Sequence, residues 1–130
     1  MIYVDTSALL KLVLAEEHSA AFRAYLEEHA AEPAVSSVLI TIETRRAVLR
    51  EAPADLPRAD LVLTRVGQIG LGHAVVESAG RLPDPTLRSL DAIHLATALV
   101  LGDDVTAFVS YDKRLLASAA VAGLPVAQPT

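Results

Sequence analysis

The sequence predicts an α/β fold built on a mostly parallel sheet. Short apolar, often β-branched runs (Met1 to Val4, Ala34 to Ser36, Gln68 to Leu71, Val105 to Val109) are separated by longer segments whose apolar residues recur at helical spacing. Strands that alternate with helices pair in parallel, because each helix carries the chain back to where the next strand starts. The length of 130 residues sets the scale: one domain over 1–130, since two stable cores would each need most of that length.

The elements follow in order. Met1 to Val4 reads as a strand, and Asp5-Thr6-Ser7 supplies helix-start chemistry for a short buried helix over Ala8 to Leu14. Residues 17 to 30 are amphipathic, with Phe22, Tyr25, Leu26 and His29 on one face, and Pro33 ends that helix. After the strand Ala34 to Ser36, Ser37 to Glu51 has helical spacing and stops at Pro53 and Pro57. A helix over Arg58 to Val66, with Gly67 as its cap, leads to the strand Gln68 to Leu71, and another helix over His73 to Arg81 stops before Pro83 and Pro85. Ser89 to Leu101 is nearly apolar all round, so it is expected to be a central buried helix capped by Gly102. Val105 to Val109 is the next strand, Asp112 to Ala120 the helix after it, and Pro125-Val126 an edge strand.

Composition excludes several functions. With no cysteine there is no disulfide scaffold, thiolate zinc site or cysteine nucleophile. Hydrophobic residues make up 52%, yet no apolar run approaches the roughly 18 residues of a membrane span. The opening MIYVDTSALL lacks a basic leader, so a cytoplasmic protein is expected. A net charge of −5 and 4% aromatics argue against an openly basic or base-stacking nucleic-acid binder, so any such role needs a localised site.

Topology turns spacing into geometry. Parallel strands all end at one edge of the sheet, and ligands bind outside that edge. Asp5 follows the first strand and Asp112 follows Val105–Val109, while Asp91 lies in the first turn of a crossover helix that starts at the same edge. Glu43 lies about two turns into the helix after Ala34–Ser36, in the half nearer that edge. Each has a simpler local reading: Asp5 and Asp112 as helix caps, Asp91 answering a helix dipole, Glu43 pairing with Arg46. Those readings do not explain four acids converging. Two carboxylates about 5 Å apart repel by roughly 3 kcal/mol at an effective dielectric near 20, so a cluster calls for protons or a cation. An all-oxygen donor set suits Mg²⁺ or Mn²⁺. Arg45, Arg46, Arg88, Lys113 and Arg114 lie near these acids in sequence and could hold a phosphate backbone.

The segments IYVDTSALLKL, VLITIETRRA around Glu43, LRSLDAIHLATAL around Asp91 and FVSYDKRLL around Asp112 resemble a PIN-domain ribonuclease, and the near full-length match resembles a VapC-type toxin of a toxin–antitoxin pair. The resemblance implies a PIN-like three-layer α/β/α fold with a short central sheet. It implies an acidic quartet of Asp5, Glu43, Asp91 and Asp112 binding Mg²⁺ or Mn²⁺, with Asp5, Asp91 and Asp112 as ligands and Thr6 supporting the site. Ser110 stands where a threonine is common and keeps the hydroxyl. A homodimer, an RNA substrate and a cognate antitoxin are also implied. The antitoxin would lie in an apolar groove near the first helices, for which Leu9, Leu10, Val13 and Leu14 offer surface, although core packing is their default.

Other readings fare worse. A receiver domain needs an acidic pair near its first strand and a mid-chain strand ending in Asp, and a haloacid-dehalogenase phosphatase needs D-x-D where Ser7 stands. Gly67-Gln68-Ile69-Gly70-Leu71-Gly72 is no phosphate loop, and the four histidines lack metal-ligand spacing. His94, one turn from Asp91, could touch the site but reads first as a satisfied core histidine, and Tyr111 could stack a base but reads first as a strand-end aromatic. The expected activity is metal-dependent endoribonucleolysis. The alternative is a catalytically weak PIN-fold binding protein that acts through an antitoxin.

Overall fold

The computed structural model describes residues 1–130. Five strands lie in the order β3-β2-β1-β4-β5: β1 (Ile2–Val4), β2 (Ala34–Ser37), β3 (Gly67–Ile69), β4 (Ala107–Val109) and β5 (Val126–Ala127). Every pairing is parallel, so the sheet is wholly rather than mostly parallel. Between the strands run α1 (Thr6–Val13), α2 (Ser19–Glu28), α3 (Leu39–Glu51), α4 (Leu56–Leu63), α5 (His73–Arg81), α6 (Ser89–Leu101) and α7 (Lys113–Val121).

Side-chain alternation along the two central strands creates the layers. Ile2, Val4, Ala107 and Val109 face one way, into a core with Leu9, Val13, Phe22, Ile40, Val48 and Leu63 from α1 to α4. Tyr3 and Phe108 face the other way, against Leu95, Ala98, Leu115 and Ala119 from α6 and α7, with their rings stacked at 5.1 Å. The result is a three-layer α/β/α arrangement, with α5 packed chiefly on α6. No helix is long and apolar enough to cross a membrane.

Several boundaries move from the expected ones, each for a local reason. The first helix starts at Thr6 because the Asp5 side chain already caps it, accepting from the Ala8 N–H. The second begins only at Ser19, after His18 adopts a left-handed φ of 69°. Pro57 does not end the third helix. It occupies the first turn of α4, where its missing N–H costs nothing, after a 3₁₀ turn over Pro53–Asp55. Gly67 opens β3 rather than capping α4, and a Cβ there would lie 3.3 Å from Val35 Cγ1. Gly102 does end α6, at a φ of 64° that favours glycine. Yet α6 is not buried all round, because Leu90 and Val100 are each 47% exposed.

Candidate functional site

β1 delivers Asp5 to the carboxyl edge of the sheet in a setting with no solvent to stabilise its charge. Asp5 is 4% exposed, and the protein supplies three donors to it. Its Oδ1 accepts from Ser7 Oγ at 2.7 Å and Ala8 N at 2.9 Å, and its Oδ2 accepts from Ser110 Oγ at 2.6 Å. Burial pushes this carboxyl above its ordinary value, and the three hydrogen bonds oppose that rise.

The two serines join the β1–α1 turn to the β4–α7 turn. Ser7 Oγ accepts from Tyr111 N at 2.8 Å, and Ser110 Oγ accepts from Asp112 N at 3.0 Å. Asp112 then caps α7, its Oδ1 taking the N–H groups of Arg114 at 2.9 Å and Leu115 at 3.1 Å. The helix-cap reading of both aspartates is therefore correct as far as it goes. In Asp112 it occupies only Oδ1.

Asp91 sits in the first turn of α6 and is partly buried. Desolvation pushes its carboxyl up, and the nearby charges of Asp112, Asp5 and Glu43 push it further. The other three acids expected to share one edge thus all bear on the Asp91 carboxyl. Asp91 and Asp112 also border a cleft of about 380 Å³ whose other walls are Thr86, Arg88, Lys113 and Arg114, with no hydrophobic residue among them.

Glu43 does not pair with Arg46. Its Oε1 lies 2.7 Å from His94 Nε2, and His94 Nδ1 lies 2.8 Å from Tyr3 Oη. Arg45 is engaged elsewhere, its Nε 2.8 Å from Asp60 Oδ1. His94 is a buried, satisfied histidine as expected, but its partner makes it part of the site. Tyr111 packs inward against His18 and Phe22 and donates to Pro129 O at 2.6 Å. Leu9, Val13 and Leu14 are buried in the core, the default expected of them, while Leu10 is only partly buried against it.

These side chains suit a hard divalent cation in their donor chemistry. All four acids offer oxygen, Asp112 keeps Oδ2 free of protein partners, and the buried Thr6 Oγ1 beside Asp5 has no hydrogen-bond partner. No three acidic or imidazole groups stand close enough to enclose an ion by themselves. Mg²⁺ is commonly held by one or two carboxylates together with water and substrate phosphate, which this looser set of acids matches.

Comparison with known proteins places the arrangement among relatives. Residues 2–121 match the PIN domain model. The chain is 39% identical over 131 residues to Ribonuclease VapC35 of Mycobacterium tuberculosis, covering 99% of this chain and 97% of that one. It is 37% identical over 129 residues to Ribonuclease VapC46 of the same organism, covering 99% and 98%. Among solved structures, a toxin–antitoxin complex from Klebsiella pneumoniae aligns with a TM-score of 0.75 at 20% identity, covering 100% of this chain and 98% of that one. VapBC2 from Rickettsia felis, bound to a DNA fragment from its promoter, aligns with a TM-score of 0.77 at 15% identity over the whole of both chains. At those identities the structural likeness speaks to the fold.

Proposed function

Because the chain belongs to the PIN-domain family, in its VapC branch, we propose that it is a divalent-metal-dependent endoribonuclease and the toxin of a toxin–antitoxin pair. The observation that carries this reading is the electrostatic coupling of Asp91 to Asp112, Asp5 and Glu43 beside a cleft with cationic walls. Asp5, Asp91 and Asp112 would hold Mg²⁺ or Mn²⁺, with the Thr6 hydroxyl supporting the site. When bound, the cation lowers the pKa of a water and offsets charge that builds on the phosphate.

The chain's own groups do the remaining work. Arg88, Lys113 and Arg114 line the cleft that would receive the RNA backbone, and their charge draws phosphate toward otherwise repellent carboxylates. Glu43 orients the attacking water. Its Oε2, which has no protein partner, is the atom available to take that water's proton. Attack in line with the departing 3′ oxygen, which takes up a proton from solvent, leaves a 5′-phosphate and a 3′-hydroxyl.

The relatives' names support a ribonuclease, and the toxin–antitoxin complex among the structural neighbours supports an antitoxin partner. We read the 130 residues as one cytoplasmic PIN domain that works as a homodimer. The test is RNA cleavage by the purified chain in Mg²⁺ or Mn²⁺ and in chelator, beside Asp91→Asn prepared identically. Cleavage that needs metal and vanishes in the variant is expected. Equal cleavage in chelator or by the variant would overturn the proposal.

A further inference from the structure

Glu43, His94 and Tyr3 come from three different elements and are joined by hydrogen bonds in a chain. His94 is 1% exposed and Tyr3 0%, so bulk solvent does not complete their hydrogen bonds. A carboxylate only accepts, so His94 Nε2, 2.7 Å from Glu43 Oε1, carries a hydrogen. Tyr3 Oη already accepts the Ser37 N–H at 3.0 Å, and its own O–H remains to be given. His94 Nδ1, at 2.8 Å, stands where it can accept that hydrogen, which assigns the ring proton to Nε2; the Ser36 and Thr97 hydroxyls also lie beside the phenol. Burial also pushes the Tyr3 phenol far above its ordinary value, so it stays a donor. The Ser37 N–H that completes the chain belongs to the last residue of β2, so the relay is anchored in the sheet itself.

A glutamate has three side-chain torsions, and fixing such a side chain costs rotamer entropy that contacts with a partner must offset. Here the partner is a rigid ring, itself held by the phenol and packed edge-on to it at 5.9 Å between centroids. We propose that His94 and Tyr3 are positioning residues of the nuclease site, a buried relay that fixes the Glu43 carboxylate through Oε1 and leaves Oε2 for the reaction. This deepens the nuclease reading and rests on it.

The relay predicts a spectroscopic signature without any metal or substrate. Side-chain ¹⁵N NMR of the metal-free protein, with His94 identified by its loss in His94→Gln, should show the Nε2–H tautomer with Nδ1 unprotonated. Tyr3→Phe changes no atom that touches Glu43 and keeps the ring that stacks on Phe108. It should nonetheless lower kcat by about tenfold, the usual scale for an outer partner of a site residue, with KM within about twofold. His94→Gln, which keeps an amide donor for Glu43, should retain more kcat than His94→Leu, which keeps none. Should Tyr3→Phe fail to fold, the wild-type spectrum and the two His94 variants still decide. An Nδ1–H tautomer in wild type overturns the relay, as does full kcat in Tyr3→Phe or His94→Leu. Wild type that shows the expected tautomer but never cleaves RNA in Mg²⁺ or Mn²⁺ overturns the nuclease reading, and with it the positioning role, while the hydrogen-bond chain stands.

Discussion

Replacing Ser110 by alanine removes one oxygen from the centre of the site, and the structure sets the size of the effect. That oxygen donates to Asp5 Oδ2 at 2.6 Å and accepts from Asp112 N at 3.0 Å, and Ser110 is completely buried. Each buried polar group left without a partner costs about 1–3 kcal/mol, and a charged one lies at the upper end. The two losses together should destabilise the fold by about 3 kcal/mol. At this length roughly 3–5 °C of melting temperature corresponds to each kcal/mol, so Tm should fall by about 10 °C. Because the strongest lost bond is to the ionised form of Asp5, the deficit has a pH signature. Burial raises the folded carboxyl above its unfolded value, so charging it costs stability that is recovered as pH falls through the folded value. Ser110 opposes that rise, so the difference between wild type and variant is full where Asp5 is ionised and shrinks on acidification. Circular-dichroism melts and urea titrations across pH measure both. Ser110→Thr keeps the hydroxyl and separates hydrogen bonding from packing. A loss below about 0.5 kcal/mol at neutral pH, or one that grows on acidification, would refute the assigned role of Ser110.

Three further outcomes are expected. Asp91→Asn should melt higher than wild type in chelator, by no more than about 1 kcal/mol once solvent screening is allowed for, because it relieves desolvation and the repulsion of Asp112, Asp5 and Glu43; a lower melting temperature would contradict that coupling. Asp84, held at about 2 by hydrogen bonds from the Ser118 hydroxyl and from the hydroxyl and N–H of Thr86, contributes stability that is present above its ordinary 3.8 and lost as pH falls toward 2. Asp84→Asn should therefore flatten the acid limb of the stability curve over that window, and an unchanged limb would count against it. Alanine at Arg88 or Lys113 should raise KM for RNA more than it lowers kcat, and should reduce the slope of log affinity against log salt by about one per residue; unchanged KM would remove these side chains from the RNA path.

What could be read from the sequence divides along the range of the forces involved. Helices such as α5 and α6 were legible to the residue, because periodicity, proline and glycine act locally. The start of α2 was not, since nothing in the residues before it announces the left-handed turn at His18. Nor was the exposure of Leu90 and Val100, because an apolar helix carries no mark of which neighbour is missing. Parallel topology was enough to nominate Asp5, Glu43, Asp91 and Asp112 together, and the charges of the other three all raise the Asp91 carboxyl. The hydrogen bonds that tune them were not legible. His94 stands 51 positions from Glu43 and 91 from Tyr3, and Ser110 lies 105 from Asp5, so only the folded chain brings them into contact. One signal was in the sequence: His94 falls one helical turn after Asp91, on the same side of α6, which put it within reach of the site.

The most direct measurement is a calorimetric titration of Mn²⁺ into the wild-type chain, Asp5→Asn and Asp91→Asn under identical conditions. Binding by wild type that weakens by more than about tenfold in both variants is the expected result, since each removes a charged donor from a coupled set. Equal affinity in all three proteins, or no binding by wild type, would contradict a metal site built from these carboxylates.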